Sequence, residues 1–202
     1  MIIADVIQGS PEWLALKAGV PSASNFDKIV TTKGVRSKSA ENYLYQLAGE
    51  RITGIREEGF QSQAMVKGIE TEEEAVKLYE LIRDIETEKV GVCYPNEEKS
   101  CLASPDRLIK GKSEGLLELK CPLIHTHVKY LLDNDKMKTE YWQQVQGQMY
   151  VTGLPWCDLM SYFPGLKPLV LRVDRDEAFI KALEFELNLF VKELEIVVSK
   201  IK

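Results

Sequence analysis

The chain has 202 residues, which favours one domain over two and allows roughly 70% of the unfolded surface to be buried without a covalent staple. Hydrophobic residues at 45% and charged residues at 28% exclude wholesale disorder, and no uncharged apolar stretch nears the roughly 20 residues that cross a bilayer. The net charge of −5 speaks against a uniformly basic nucleic-acid binder.

The start, Met1-Ile2-Ile3-Ala4-Asp5, lacks the basic and apolar regions of a secretory leader, so a cytoplasmic location is expected. Ser10-Pro11-Glu12-Trp13 reads as a helix start with Ser10 as cap and Pro11 in the first turn. Gly19 ends that helix and Pro21 keeps it ended. Ser22 or Ser24 can cap a second helix through Phe26 and Ile29, and residues 31–39 form a polar, basic loop. Tyr43, Leu44 and Leu47 mark a helix over residues 40–52, a loop is expected at 53–62, and residues 64–83 read as one long helix. Strands are expected at 88–94 and 101–104, joined by a Pro95-Asn96-Glu97-Glu98 turn, and at 116–121, ended by Pro122. Helices follow at 125–134 and 139–152, then strands at 157–163 and 168–173. Asp174 or Asp176 opens a last amphipathic helix with Phe179, Leu183, Leu187, Phe190, Leu194 and Val197 as its stripe. Helices before, within and after a run of strands predict a single α/β domain over residues 1–202, with a mixed central sheet of about five strands flanked by helices.

Charge is unevenly placed. Residues 28–38 carry Lys28, Lys33, Arg36 and Lys38 without an acid, whereas residues 70–98 hold ten acids against Lys77, Arg83 and Lys89. A locally basic cleft can still attract an anion on an acidic chain. Cys93, Cys101, Cys121 and Cys157 include no CxxC pair, which disfavours a zinc ribbon or an iron–sulfur cluster and reads as free thiols. His125 and His127 lie two apart, so on a helix they diverge and do not readily chelate one ion.

The most informative stretch is Ser104-Pro105-Asp106 followed by Glu118-Leu119-Lys120. On a strand, Glu118 and Lys120 share one face while Leu117, Leu119 and Cys121 take the other. Asp106, at the end of a preceding hairpin strand, could sit beside Glu118. Close carboxylates repel unless a cation intervenes; Mg²⁺ or Mn²⁺ would serve, with Lys120 orienting water. A solvated strand face bearing an ordinary charge pair is the alternative. At helical spacing, Met65, Gly68, Glu72, Ala75, Val76, Tyr79 and Ile82 share a face, with Glu72 in its middle. An isolated buried carboxylate is costly, so Glu72 either reaches a metal or an arginine or lies in solvent. Along 139–152, Gln146 falls among Trp142, Val145, Met149 and Gly153, whereas Gln143, Gln144 and Gln148 do not; it holds backbone in the core, or a water or phosphate oxygen at a site.

This ordered set resembles the PD-(D/E)xK nuclease superfamily, and more closely the lambda exonuclease and YqaJ-like viral recombinase family. The matching segments are Gly9-Ser10-Pro11-Glu12-Trp13, Ala23-Ser24, Gly68 with Glu72 and Ala75, Ser104-Pro105-Asp106, Leu117-Glu118-Leu119-Lys120-Cys121-Pro122, and Gln144-Val145-Gln146 with Val151-Thr152. The resemblance implies that Asp106, Glu118 and the Leu119 carbonyl bind metal, that Glu72 is a further acid of the site, that Lys120 positions the nucleophilic water and that Gln146 assists it. It places Lys17 and Ser24 in a pocket for a 5′-terminal phosphate, with Trp13 in its wall, and counts Ser104 among the DNA-binding residues. Lys17 stands where lambda-type members carry arginine, so the charge is kept and the bidentate fork is lost.

The expected activity is therefore a Mg²⁺-dependent deoxyribonuclease, a 5′→3′ exonuclease on double-stranded DNA that leaves 3′ overhangs for recombination, with Mn²⁺ able to substitute. Lys33 and Arg36, with Arg107, Lys110 and Lys112, would hold the DNA backbone without reading sequence. The resemblance also implies a homotrimer, a single-strand annealing recombinase as partner, and a phage or prophage setting. A structure-selective endonuclease on the same core and a non-catalytic DNA-binding protein are the competing readings.

Overall fold

A computed structural model describes residues 1–56, 63–111 and 114–202, with the side chains of 63–70 excepted. Met65, Gly68 and Lys112, and most of the loop expected at 53–62, therefore lie outside the described side chains or residues. A short strand β1 (Ile2–Ala4) precedes α1 (Pro11–Lys17), whose cap is the expected one: the Ser10 hydroxyl accepts the Trp13 amide at 3.2 Å. Residues Ala23–Lys28 form a 3₁₀ helix rather than an α-helix, and α2 (Ala40–Thr53) ends on Gly54 at φ +68°, a left-handed turn that glycine adopts without penalty.

Next come α3 (Gln63–Arg83), β2 (Thr87–Glu88), β3 (Val92–Tyr94), β4 (Arg107–Ile109) and β5 (Gly115–Lys120). The helices α4 (Ile124–Leu132) and α5 (Asn134–Thr152) lead to β6 (Trp156–Ser161), β7 (Leu169–Asp174) and α6 (Glu177–Ile201). Asp176 caps α6 by accepting the amides of Ala178 and Phe179. Among the described residues no helix is long and apolar enough to cross a membrane.

The main sheet has the order β2-β4-β5-β6-β7, and β1 pairs with β3 apart from it. Strands β5 and β6 are parallel, joined by α4 and α5; the other pairs are antiparallel. The sheet is thus mixed and five-stranded, as expected, but its members differ in two places, the first being that the strand expected at 88–94 is split between β2 in this sheet and β3 outside it. Second, Cys101, Leu102 and Ala103 are buried yet make only isolated bridges, to Cys93 and Ser22, and the strand beside β5 is Arg107–Ile109. Asp106 therefore precedes a strand instead of closing a hairpin.

Alternation along β5 divides the core. Leu116 packs with α2, the 3₁₀ helix, α5 and α6, while Leu117 and Leu119 pack with Ala75, Val76 and Tyr79 of α3. Glu118 and Lys120 share the Leu116 face and look toward α5. The expected apolar stripes hold on α6, where Phe179, Leu183, Leu187, Phe190 and Leu194 are buried, but the one on α3 stops short: Ile82 is 50% exposed.

Candidate active site

Asp106 is fixed by the strand it faces. Pairing of β4 with β5 stops at Arg107 and Leu117, and beyond that point the Asp106 carboxylate takes the place of the missing ladder, accepting the Leu119 amide at 2.6 Å. The N–H and C=O of one strand residue point the same way, so the Leu119 carbonyl faces this same gap. The carboxyl of Asp106 is held well above the usual range by burial first and then by the negative charge of Glu118, with Glu72 adding to it; Lys120 and the Leu119 amide oppose the rise.

Glu118 is 3% exposed and would be costly without partners. It has three. One oxygen accepts Lys120 Nζ at 2.7 Å and Gln144 Nε2, and the other accepts Gln148 Nε2 at 2.6 Å. Gln144 also accepts Lys120 Nζ at 3.2 Å, and the ammonium stands 4.5 Å from the centroid of the Tyr141 ring. Burial pulls the Lys120 pKa down, yet Glu118 and Asp106 outweigh it and raise it overall, so the side chain is a held cation.

Gln144 and Gln148 lie one turn apart on α5 and face the sheet together. Gln146 does not join them. Its Nε2 donates to the Asp174 carbonyl at 2.9 Å and its Oε1 accepts the Asp176 amide at 3.0 Å, so it ties α5 to the β7–α6 corner. The assignment of Gln146 to the reacting centre is corrected. The cause is that α5 is buried on several sides, Gln143, Val145, Gln146, Gly147, Gln148 and Met149 alike, so its apolar residues do not single out one face. Gln146→Ala is expected to lower the thermal midpoint by an amount corresponding to about 1–3 kcal/mol and to leave the single-turnover rate of the folded enzyme unchanged. Gln148→Leu is expected to slow that rate about 10–100-fold, the usual scale for groups that orient metal ligands. A reversed pattern would return Gln146 to the site.

Glu72 lies across the sheet on α3, its side chain 31% exposed and 3.8 Å from Arg107. Arg107 is 4% exposed; it donates to the Asp106 carbonyl and to Glu73, each at 3.0 Å. It is thus an internal brace, which corrects its assignment to DNA backbone contact. Burial raises the Glu72 carboxyl and Arg107 works against that rise. Lys110 is exposed and pairs with Glu88 at 3.5 Å.

The other predicted residues form a second cluster. Trp13 donates its indole N–H to Ser104 at 2.9 Å, and Ser104 in turn donates to the Gly91 carbonyl at 2.6 Å. Lys17 Nζ stands 3.8 Å from the Trp13 ring centroid, and Ser24 shares a hydrogen bond with Ser22 at 3.2 Å. The Lys17 pKa is pulled down to about 7, by burial and then by Arg56, while Glu118 and Asp106 resist. The two clusters are therefore within electrostatic reach of one another. Lys33 and Arg36 are not brought into either. Lys33 is exposed, and Arg36 pairs with Glu193 of α6; their loop is bound to α5 through the Val30 carbonyl and Gln143 at 3.3 Å.

The lowered Lys17 pKa has a consequence for stability. An unfolded lysine keeps its proton to the ordinary value of 10.5, whereas the folded one loses it near 7, so the unfolded chain binds more protons between these limits and stability rises with pH across them. Below about pH 7 the full cost of the buried ammonium is borne. Lys17→Met is expected to raise the thermal midpoint there, with the advantage fading toward pH 10.5; melting curves across that range that run parallel would contradict it.

The donor set fits a hard cation. Asp106, Glu118 and the Leu119 carbonyl offer oxygen only, and the mutual repulsion of the carboxylates is relieved by positive charge. Mg²⁺ takes one or two carboxylates and completes its shell with water and phosphate oxygens; among the described residues no three side chains of the His, Cys, Asp and Glu types are grouped to hold an ion by themselves.

A mixed sheet in which an acid just before one strand meets an acid on the neighbouring strand, with a lysine two residues after the second acid and helices on both faces, is the PD-(D/E)xK nuclease architecture. The chain matches the YqaJ-like viral recombinase domain over residues 12–155, and it belongs to that family. It is 33% identical to the alkaline exonuclease LHK-Exo of Laribacter hongkongensis, with a TM-score of 0.84 over 95% of this chain and 96% of that one. The same exonuclease in complex with dAMP gives 32% identity and a TM-score of 0.85 over 96% of each chain. A phage-related exonuclease from Haemophilus somnus 129PT, 17% identical with a TM-score of 0.70 over 91% of this chain and 96% of that one, shares the fold. No curated protein matches the chain significantly.

Proposed function

We propose that this chain is a DNA exonuclease that uses Mg²⁺, or Mn²⁺ in its place, to hydrolyse phosphodiesters from the 5′ ends of double-stranded DNA, leaving 3′ single-strand overhangs for recombination. The observation that carries the reading is the Glu118 carboxylate buried between Lys120, Gln144 and Gln148, beside an Asp106 fixed to the same strand. Family membership and the likeness to LHK-Exo support it.

Asp106, Glu118 and the Leu119 carbonyl would hold the ion, which supplies charge neutralisation at the phosphate and hydroxide near neutral pH. Lys120, restrained on three sides by Glu118, Gln144 and Tyr141, directs its remaining N–H toward the attacking water. Gln144 and Gln148 prevent Glu118 from rotating away. Lys17, Ser24 and Trp13 receive the terminal phosphate, so the scissile bond is measured from the end of the strand. Assembly as a homotrimer and delivery of the overhang to a single-strand annealing recombinase complete the reading.

The test is digestion of end-labelled linear duplex beside a covalently closed circle, with and without Mg²⁺. The expected result is mononucleotide release from the 5′-labelled end, dependent on the ion, with the circle intact. Cleavage of the circle would establish the endonuclease instead, and absence of any nucleotide release would leave a DNA-binding protein.

A further inference from the structure

One cation beside the proposed phosphate pocket was not singled out in the sequence. Arg56 lies two residues beyond the left-handed turn at Gly54, and its guanidinium stands 5.8 Å from the centroid of the Trp13 ring, the indole that also carries Lys17 at 3.8 Å. The approach is built in. Glu50 of α2 accepts the Gly19 amide at 2.9 Å, and Arg51 donates to the Gly19 carbonyl at 2.8 Å. These bonds fasten the end of α2 to the turn after α1, and the Gly54 turn then brings position 56 over Trp13.

Two cations on one indole repel each other. Arg56 is the neighbouring charge that lowers the Lys17 pKa, and it is felt by Tyr43, whose hydroxyl bonds Ser22, the partner of Ser24. Among the described residues neither Lys17 nor Arg56 is in an ion pair. The acids nearest in effect, Asp106 and Glu118, are committed to the Leu119 amide, Lys120, Gln144 and Gln148. Such an arrangement is relieved by an anion that takes both cations at once. A phosphate monoester has the charge and enough acceptor oxygens, and a guanidinium grips it bidentately where an ammonium acts as a point charge.

We propose that Arg56 is a binding residue for the 5′-terminal phosphate, supplying from the end of α2 the planar fork that Lys17 lacks. This rests on the reading of Lys17, Ser24 and Trp13 as the pocket for that phosphate, and adds to it a residue from a separate segment. The substrate class it selects is duplex DNA ending in a 5′-phosphomonoester, as opposed to a 5′-hydroxyl.

The test is affinity for a short labelled duplex bearing either end, by fluorescence anisotropy without divalent ion so that nothing is cleaved. The unaltered chain is expected to prefer the phosphorylated duplex. Arg56→Ala is expected to weaken binding of that duplex about tenfold, the scale of one charge-assisted contact, and to leave the hydroxyl duplex unchanged, with Arg56→Lys intermediate. Equal loss on both duplexes, or an undiminished preference in a folded Arg56→Ala, overturns the assignment of Arg56 alone. If the unaltered chain binds both ends alike, the terminal-phosphate pocket falls and Arg56 with it, while Mg²⁺-dependent hydrolysis remains a separate question.

Discussion

Asp106→Asn is expected to reduce the single-turnover rate in Mg²⁺ by about 10³-fold or more, since a bound ion contributes several kcal/mol to such a transition state and each 1.4 kcal/mol is tenfold. Asparagine keeps the shape and an oxygen for the Leu119 amide, which Asp106 accepts at 2.6 Å, but removes the negative charge. Burial and Glu118 raise the Asp106 pKa in the fold. The unfolded carboxyl therefore ionises first as pH rises, and the charge costs stability above that point. The asparagine variant should accordingly melt no lower than the parent at neutral pH. Asp106→Ala should be equally inactive yet less stable by about 1–3 kcal/mol, because the Leu119 amide is left without its partner. Hydrolysis at the parental rate by a folded Asp106→Asn would remove this carboxylate from the reaction.

Lys120→Met is the second large effect. The ammonium donates to Glu118 at 2.7 Å and to Gln144 at 3.2 Å, so it is aimed and charged before substrate arrives. Its loss should slow the chemical step by roughly 10²-fold or more, the scale of a positioned proton-handling group. Affinity for duplex ends, assigned above to the proposed pocket at Trp13, should change little. Rapid-quench measurement at saturating DNA separates the two quantities. An unaltered chemical rate would mean that the water is held by something else.

Much of this arrangement is legible in the chain because period-two alternation is local. Glu118 and Lys120 on one face, with Leu117 and Leu119 on the other, follow from the strand itself. So does the Ser10 cap, and so does the stripe on α6. What could not be read depends on partners distant in sequence. Gln146 looked like the special residue of α5, but the helix is enclosed on several sides, and which glutamine meets Glu118 is decided by how the helix is rolled on the sheet. The brief strand at Arg107–Ile109 begins with an arginine, so the fully apolar run at 101–103 looked the better strand. Arg107 itself was misread for a related reason, since composition marks an arginine as surface and only the fold shows Glu73 and the Asp106 carbonyl waiting for it. Arg56 carried one weak signal, a helix-ending glycine two residues before it, and nothing in the sequence says that the turn leads to Trp13.

The glycine between the two working glutamines has a mechanical consequence. An added Cβ at Gly147 would lie 2.4 Å from the Phe26 ring, so α5 and the 3₁₀ helix meet with no room to slide. Phe26 sits two positions from Ser24 at the proposed end-binding pocket, and Gly147 adjoins Gln148 on Glu118. On the proposed function, grip on the strand terminus and alignment of the ion-holding carboxylate would be two ends of one stiff lever, and the spacing between them a ruler that a single methyl group would bend.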